Sequence, residues 1–257
     1  MCQFFSIVSD GAGNTMYFNA EQRKQIIAGK LFDKNGNIIT ETDSHSSIMA
    51  YNGIFGQEED MYNKYEYNPL TKEFIKDKIN NKDDSELVRN FCTNLDYKTI
   101  VPELQIKEII NPKNIIHSDN VNDSEIALLH MWDSVWSSVR SSVKNPIESS
   151  VRSSVGNSVW SSVWNSVWNS VRNSIWNSVW SSIGNSVWSS VGSLVGIYAS
   201  SFFTITNWKY INYEEGKNPF QSCIDLWHLG LIPSYDGNTW RLHKMCDNAK
   251  IIYEWKK

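Results

Sequence analysis

A four-residue repeat occupies residues 133–196 and constrains the fold more than any other feature of the chain. Most units read Ser/Asn-Ser-Val-x, and the third position of every unit is Val or Ile, from Val135 to Val195. The fourth position is mainly Trp, Arg or Gly. Repetition at a fixed short period indicates one small structural unit that stacks on copies of itself.

A single α-helix fits this period poorly. Positions four residues apart drift by roughly 40° around a helix, so the apolar stripe would wind around the axis nearly twice over the repeat. Ser, Val, Asn, Trp and Gly are also mediocre to poor helix formers. One helix of this length would extend roughly 96 Å, without a second helical repeat to pack against. We therefore reject one long helix.

The pattern instead predicts a parallel β-solenoid. In an extended segment neighbouring side chains point to opposite faces, which places Val135 inward and both Ser134 and Trp136 outward. β-branched residues favour stacked strand positions, and Ser and Asn suit the corners between them. A four-sided coil is preferred, because a three-sided coil would stack Arg140 on Arg152. The predicted fold class is α+β, with a central four-sided tetrapeptide-repeat β-helix flanked by small α/β segments.

The flanking segments divide the chain into four predicted regions. They are an N-terminal α+β domain (1–120), a linker and cap (121–132), the solenoid (133–197) and a C-terminal cap of helix plus hairpin (198–257). Turn sequences between β-forming runs predict three hairpins, which join residues 3–8 to 15–18, 65–67 to 73–79 and 231–235 to 239–243. Capping and stop residues around apolar runs predict short helices at residues 21–28, from 44 to about 53, from 83 to about 95, and 219–228. Ile100–Ile110 is predicted to be a strand.

Composition and charge narrow the classes of function. A net charge of −4 gives no general attraction to nucleic acid, and no apolar run approaches the roughly 20 residues of a membrane span. The N-terminus lacks the basic flank of a signal peptide, which predicts a cytoplasmic protein. Cys2, Cys92, Cys223 and Cys246 lack CxxC spacing, so neither a zinc site nor a disulfide framework is predicted, and no cofactor is expected.

Four stretches outside the repeat support a family resemblance. They read MCQFFSIVSDG, SHSS, NKYEYNPLTKEF and PFQSCIDLWHLGLIPSYDGNTWRLH. Together with the repeat, they resemble a family of bacteriophage and bacterial proteins that have SVxx tetrapeptide repeats between similar flanks. The resemblance covers nearly the whole chain and implies a phage or prophage setting. It implies no particular activity.

Cys2 is the sharpest catalytic candidate. Removal of Met1 would expose a cysteine whose own α-amine could act as base, as in N-terminal nucleophile hydrolases. The strand–turn–strand that follows resembles the opening of such enzymes, including bile-salt hydrolases and class II glutamine amidotransferases. The other motifs of those enzymes are not visible, so a hydrolase or amidase using Cys2 is the alternative to a non-enzymatic protein.

Two groups of polar residues are weaker candidates for acid–base or metal chemistry. Neither shows ligand spacing such as HxxxH, so helix starts and polar turn faces are the favoured interpretation of both. The first group contains His45, Glu58, Glu59, Asp60 and Glu66, and the second contains Asp225, His228, Asp236, Arg241 and His243.

Tryptophans and arginines at the fourth repeat position predict a binding surface. Exposed aromatic patches mark interaction sites, and cation–π stacking is available in the same register. The competing interpretation is that the indoles stack on one another or pack beneath flanking segments. The predicted function is a non-enzymatic interaction protein that binds a host or phage protein, with self-assembly as a further alternative. The predicted binding residues are Trp160, Trp164, Trp168, Trp176, Trp180, Trp188, Arg152 and Arg172.

Overall fold

The computed structural model describes residues 5–142, 146–183, 188–208, 211 and 213–257. For residues 139–142, 146, 158, 172–183 and 188–192 it describes the backbone alone. The chain divides into two compact units. The first unit comprises Met1–Lys107 and Val151–Val163, and the second unit comprises Glu108–Ser150 and Trp164–Lys257.

The repeat is α-helical in its described residues, so the predicted β-solenoid is wrong. Helix α4 (Asp123–Ser142) enters the repeat, and α5 (Pro146–Val155), α6 (Asn157–Ile183) and α7 (Trp188–Ser200) follow. Gly156 separates α5 from α6 with a φ of +86°, a left-handed conformation that glycine adopts without strain. In its described residues the repeat is therefore divided into several helices, the longest of 27 residues, and does not form one helix over its whole length.

Burial of the third-position valines explains why the repeat is stable as helix. From Val159 to Val171 in α6 the drift of roughly 40° per unit adds up to roughly 120°, which still leaves these valines on one broad face. The described valines of α5 and α6 are all buried: Val151, Val155, Val159, Val163, Val167 and Val171. Burial of this apolar stripe outweighs the weak helix propensity of the individual residues.

The serines of the repeat find acceptors inside the helices. The Ser138 hydroxyl donates to the carbonyl of Val135 at 2.9 Å, and the Ser170 hydroxyl donates to that of Ser166 at 2.9 Å. Such bonds to a carbonyl one turn earlier satisfy a hydroxyl without leaving the helix. Serine at the second position is thus compatible with helix as well as with a solenoid.

The first unit contains a four-stranded antiparallel sheet in the order β2–β1–β3–β4. Its strands are β1 (Phe5–Ser9), β2 (Thr15–Met16), β3 (Asn63–Asn68) and β4 (Glu73–Lys78). Its helices outside the repeat are α1 (Ala20–Ile27), α2 (His45–Asn52) and α3 (Ser85–Asn94). The hairpin and helix signals of this region are confirmed, since β1–β2 and β3–β4 are antiparallel pairs.

Both faces of the central strands β1 and β3 are buried, whereas the edge strand β4 is largely exposed. Val8 lies in one core cluster together with Ile26 of α1 and Ile48 of α2. Phe5 points to the opposite face, because side chains alternate along a strand, and its ring packs 5.4 Å from that of Tyr97. Polar side chains that enter this sheet therefore lie in a largely buried environment.

The second unit contains a three-stranded antiparallel sheet in the order β5–β6–β7. Its strands are β5 (Leu231–Tyr235), β6 (Thr239–Lys244) and β7 (Lys250–Lys256), and helix α8 (Gln221–His228) precedes them. Trp132 and Trp136 of α4 pack with Trp240, at ring-centroid distances of 6.5 and 6.4 Å. These three indoles form an aromatic core in this unit.

The strand predicted over Ile100–Ile110 is absent from this described segment. At the end of this segment, side chains of the second unit form hydrogen bonds with the backbone. The N–H of Ile110 donates to the Tyr198 hydroxyl at 2.8 Å, and Trp227 Nε1 donates to the Ile110 carbonyl at 2.9 Å. Backbone groups bonded in this way do not need a neighbouring strand.

None of the helices in the described ranges has both the length and the apolarity needed to cross a membrane.

Two tryptophans of the aromatic core differ in their hydrogen bonds, and this difference provides a test of the arrangement of the core. Trp240 donates from Nε1 to Asp133 Oδ1 at 2.8 Å, whereas the buried Nε1 of Trp136 has no partner within the described part of the chain. Loss of a donor to a buried carboxylate costs about 1–3 kcal/mol. We expect Trp240→Phe to lower the free energy of unfolding by about 1–3 kcal/mol more than Trp136→Phe, as measured by urea denaturation. Equal losses would contradict this arrangement.

Candidate functional site

The described tryptophans of the predicted binding surface occupy different environments. Trp160 is buried, and this side chain has a packing role in the first unit. Trp164 and Trp168 are half-buried and lie one turn apart on α6. Their rings are parallel to within 10°, with centroids 5.3 Å apart. We call these two residues the Trp pair.

Of the remaining predicted binding residues, the structure describes the side chain of Arg152 alone. Arg152 is half-buried in α5. The side chains of Arg172, Trp176, Trp180 and Trp188 lie outside the described part of the structure. Their role in binding stays a prediction. Cys2 also lies outside the described residues.

Two members of the first polar group, His45 and Glu66, come together with a third residue, Asp77. One ligand atom from each of the three lies within 4.8 Å of the others. His45 Nδ1 is 3.5 Å from Asp77 Oδ2. His45 and Glu66 are buried, whereas the Asp77 side chain is 51% exposed. We call these three residues the His45 cluster.

The start of α2 positions His45 in this cluster. Ser44 caps the helix by accepting a hydrogen bond from the Ser47 N–H at 3.3 Å. Asp43, one residue earlier, accepts two hydrogen bonds from the buried guanidinium of Arg23. A bidentate pair of this kind fixes both partners in a defined geometry. The backbone around His45 is therefore held from both sides.

The other ring nitrogen of His45 is bound to the sheet. Nε2 lies 2.8 Å from the carbonyl oxygen of Tyr65, so this nitrogen donates its hydrogen. In a neutral ring the lone pair then lies on Nδ1, the atom that faces Asp77.

A β-bulge brings Asp77 into the cluster. Tyr65 pairs with Lys76 and Lys64 pairs with Lys78, so Asp77 is the extra residue in β4. Bulges bend a strand and redirect a side chain, and they occur often beside functional sites. Ile75, two residues earlier, pairs with Glu66, and the bulge leaves an Asp77 oxygen within 4.8 Å of a Glu66 oxygen.

A buried network anchors the strand that holds this cluster. Asp84 accepts hydrogen bonds from the Tyr65 hydroxyl at 2.6 Å, from Asn63 Nδ2 at 2.9 Å and from the Ser9 hydroxyl. Burial acts to raise the pKa of the Asp84 carboxyl, but these three donors together with the Gly13 N–H outweigh it and hold the pKa below its usual value. The ionised Asp84 therefore ties β1 and β3 to the start of α3.

The other acids of the first polar group bind lysines or solvent. Glu59 lies 3.8 Å from Lys64 Nζ, and Asp60 lies 3.0 Å from Lys78 Nζ. Glu58 is exposed in the same 3-10 helix, Gly56–Met61. The predicted cluster of five residues is thus divided, and these three acids serve the surface of the sheet.

The second polar group is mainly structural. Arg241 pairs with Asp236 at 2.6 Å and with Glu254 at 2.8 Å, which joins β6 to its turn and to β7. Asp225 accepts a hydrogen bond from Gln221 at 2.8 Å, and His228 is exposed. These contacts agree with the interpretation of the group as helix and hairpin polar faces.

His243, the last member, forms a pair with Ser234 that resembles a catalytic dyad. The Ser234 hydroxyl is 2.7 Å from His243 Nε2, and His243 Nδ1 is 2.9 Å from the carbonyl of Ala249. Both side chains are fully buried, so no substrate reaches the hydroxyl. Burial also lowers the pKa of His243 to about 4, which keeps the ring neutral. This pair is a structural element of the core.

Sequence reasoning missed Asp77 and Ser234. The predicted hairpin gives an approximate signal for Asp77, because the strand after its turn pairs with the strand that contains Glu66. The bulge at Asp77 shifts this pairing, and the sequence pattern does not show the bulge.

Comparisons of the chain with models of protein families, with curated proteins and with solved structures found no match.

The neutral, buried His243 predicts a pH-dependent stability. An unfolded histidine gains its proton near pH 6.5, whereas the folded His243 does so only near pH 4. The unfolded state binds more protons between these values, so stability falls as the pH is lowered from 6.5 to 4, by about 3 kcal/mol at most. We expect His243→Gln to lose this part of the pH dependence in urea unfolding experiments.

The exposed His228 provides the matched control for this experiment. We expect His228→Gln to keep the dependence of the wild-type protein between pH 4 and 6.5. A His243→Gln protein with the wild-type pH dependence would show that His243 is not held neutral by burial.

Proposed function

We propose that this chain is a non-enzymatic interaction protein that binds a protein partner through the Trp pair on α6. The observation that supports this most directly is the parallel stack of two half-buried indoles, Trp164 and Trp168. The helix replaces the solenoid as the scaffold of the proposed surface.

The position of the Trp pair relative to the valine stripe favours this function. Val163 and Val167, which directly precede the two tryptophans, are buried and fill the packing face of the helix. Each indole is offset from that face and keeps part of its surface in solvent. Large rings with an apolar face and a polar N–H are typical anchors of protein interfaces.

Residues next to the Trp pair suit an interface. Asn169 and Ser170 are exposed, and they offer polar contacts without covering the rings. The stack also fixes both indoles before binding, so a partner would meet an ordered surface at a low entropic cost.

The flanking stretches resemble those of bacteriophage and bacterial proteins with SVxx repeats, and this resemblance supports a biological setting for the proposed function. We propose that the chain acts in the cytoplasm of a bacterial host, as part of a bacteriophage or prophage, on a host or phage protein. Nucleic acid is the less favoured partner, because the net charge of −4 repels a polyanion.

Replacement of the Trp pair tests this proposal. We expect Trp164→Ser with Trp168→Ser to weaken partner binding at least about 30-fold, because one good anchor contributes roughly 2 kcal/mol. Partner capture by the tagged chain from host lysate identifies the ligand, and titration calorimetry with the purified partner measures the change. Light scattering of the chain alone reports self-association by the same surface.

The exposed neighbour Asn169 supplies the control. We expect Asn169→Ala to bind like the wild type, and we expect the double variant to remain folded by thermal denaturation. If a folded double variant retained full affinity and the same mass in light scattering, the Trp pair would not be the binding surface.

A further inference from the structure

We propose that the His45 cluster is a binding site for one divalent transition-metal ion, a function separate from the proposed interaction through the Trp pair. The geometry of its donor atoms suits such an ion. Two ligands of a tetrahedral zinc ion lie about 3.4 Å apart, because each lies roughly 2.1 Å from the metal. His45 Nδ1 and Asp77 Oδ2 are 3.5 Å apart, and a Glu66 oxygen lies within 4.8 Å of both.

His45 has the second contact that metal-binding histidines need. Such histidines almost always donate their other ring N–H to a carbonyl or carboxylate, which fixes the tautomer and the orientation of the ring. Here Nε2 faces the Tyr65 carbonyl at 2.8 Å, in the strand that the Asp84 network anchors. Nδ1 thus faces Asp77, and in the neutral ring this atom offers its lone pair to an ion.

The charges around the cluster favour a cation. Two carboxylates held within 4.8 Å of each other repel, and a divalent ion between them would remove that repulsion. The lysines on either side of Asp77 already have acidic partners, since Lys76 pairs with Asp83 and Lys78 with Asp60. Lys64, which lies opposite Lys78, is close to Glu59.

The bulge at Asp77 gives the site its access to solvent. Two of the three ligands are buried and belong to fixed elements, whereas the Asp77 side chain is about half exposed. An ion can therefore enter from the side of Asp77, and that carboxylate can adjust to close the coordination shell.

The donor set indicates which ions are suited. One imidazole with two carboxylates fits Zn²⁺, Mn²⁺ or Fe²⁺, whereas Mg²⁺ and Ca²⁺ prefer oxygen ligands alone. Three protein ligands leave at least one coordination position for water. Structural zinc sites, by contrast, have four protein ligands and no open position.

Titration calorimetry of the full, tag-free chain after EDTA treatment tests the site, with Zn²⁺ and Mn²⁺ as separate probes. We expect one ion per chain. His45→Gln can still donate to the Tyr65 carbonyl but lacks the Nδ1 lone pair, so it should weaken Zn²⁺ binding at least about tenfold. Because the Asp77 side chain is 51% exposed, we expect Asp77→Asn to fold like the wild type and to lose Zn²⁺ affinity to the same extent.

Asp60→Asn is the matched control, since it removes a nearby surface carboxylate that pairs with Lys78. We expect this variant to bind Zn²⁺ like the wild type. The proposal is overturned if the wild-type chain binds neither ion, or if the His45 and Asp77 variants bind as the wild type does. Equal weakening by Asp60→Asn would also overturn it, by showing general attraction to an acidic surface.

Discussion

The difference between a four-residue repeat and a helical turn of 3.6 residues is the constraint on which the rest of the structure depends. Each unit rotates the valine stripe by roughly 40°, so no single flat surface can cover a long run. The chain meets this constraint by dividing the run into helices, with a left-handed Gly156 between α5 and α6. Over the described side chains of α5 and α6 the stripe drifts by roughly 120° at most within one helix, and the valines from Val151 to Val171 are buried.

The same constraint accounts for the unequal environments of the tryptophans. As the stripe rotates, the fourth position of successive units meets packing partners or solvent in turn. Trp160 is consequently buried, whereas Trp164 and Trp168 are half-buried and stack on each other. One repeated residue type thus serves both the core and the proposed interaction surface.

The sequence predicted the elements outside the repeat better than the repeat itself. Turn and capping signals located the β3–β4 hairpin and α2, because glycine, proline and capping residues act locally. For the repeat, the four-residue period is compatible with both a solenoid and interrupted helices, and buried contacts decided between them. For the candidate metal site, the sequence singled out His45 and Glu66 as candidates for acid–base or metal chemistry, but it favoured polar helix starts and turns and predicted no metal site. Asp77 enters through a bulge that depends on the pairing of two strands.

Backbone chemical shifts of the repeat valines test the central claim most directly. With selectively labelled valine in the full chain, helices α5 and α6 predict Cα resonances shifted downfield from random-coil values and Cβ resonances shifted upfield. Assigned signals of Val159, Val163 and Val167 with this pattern would agree with the helical structure. The opposite pattern at these residues, as in extended strands, would contradict the account and restore a β-type repeat.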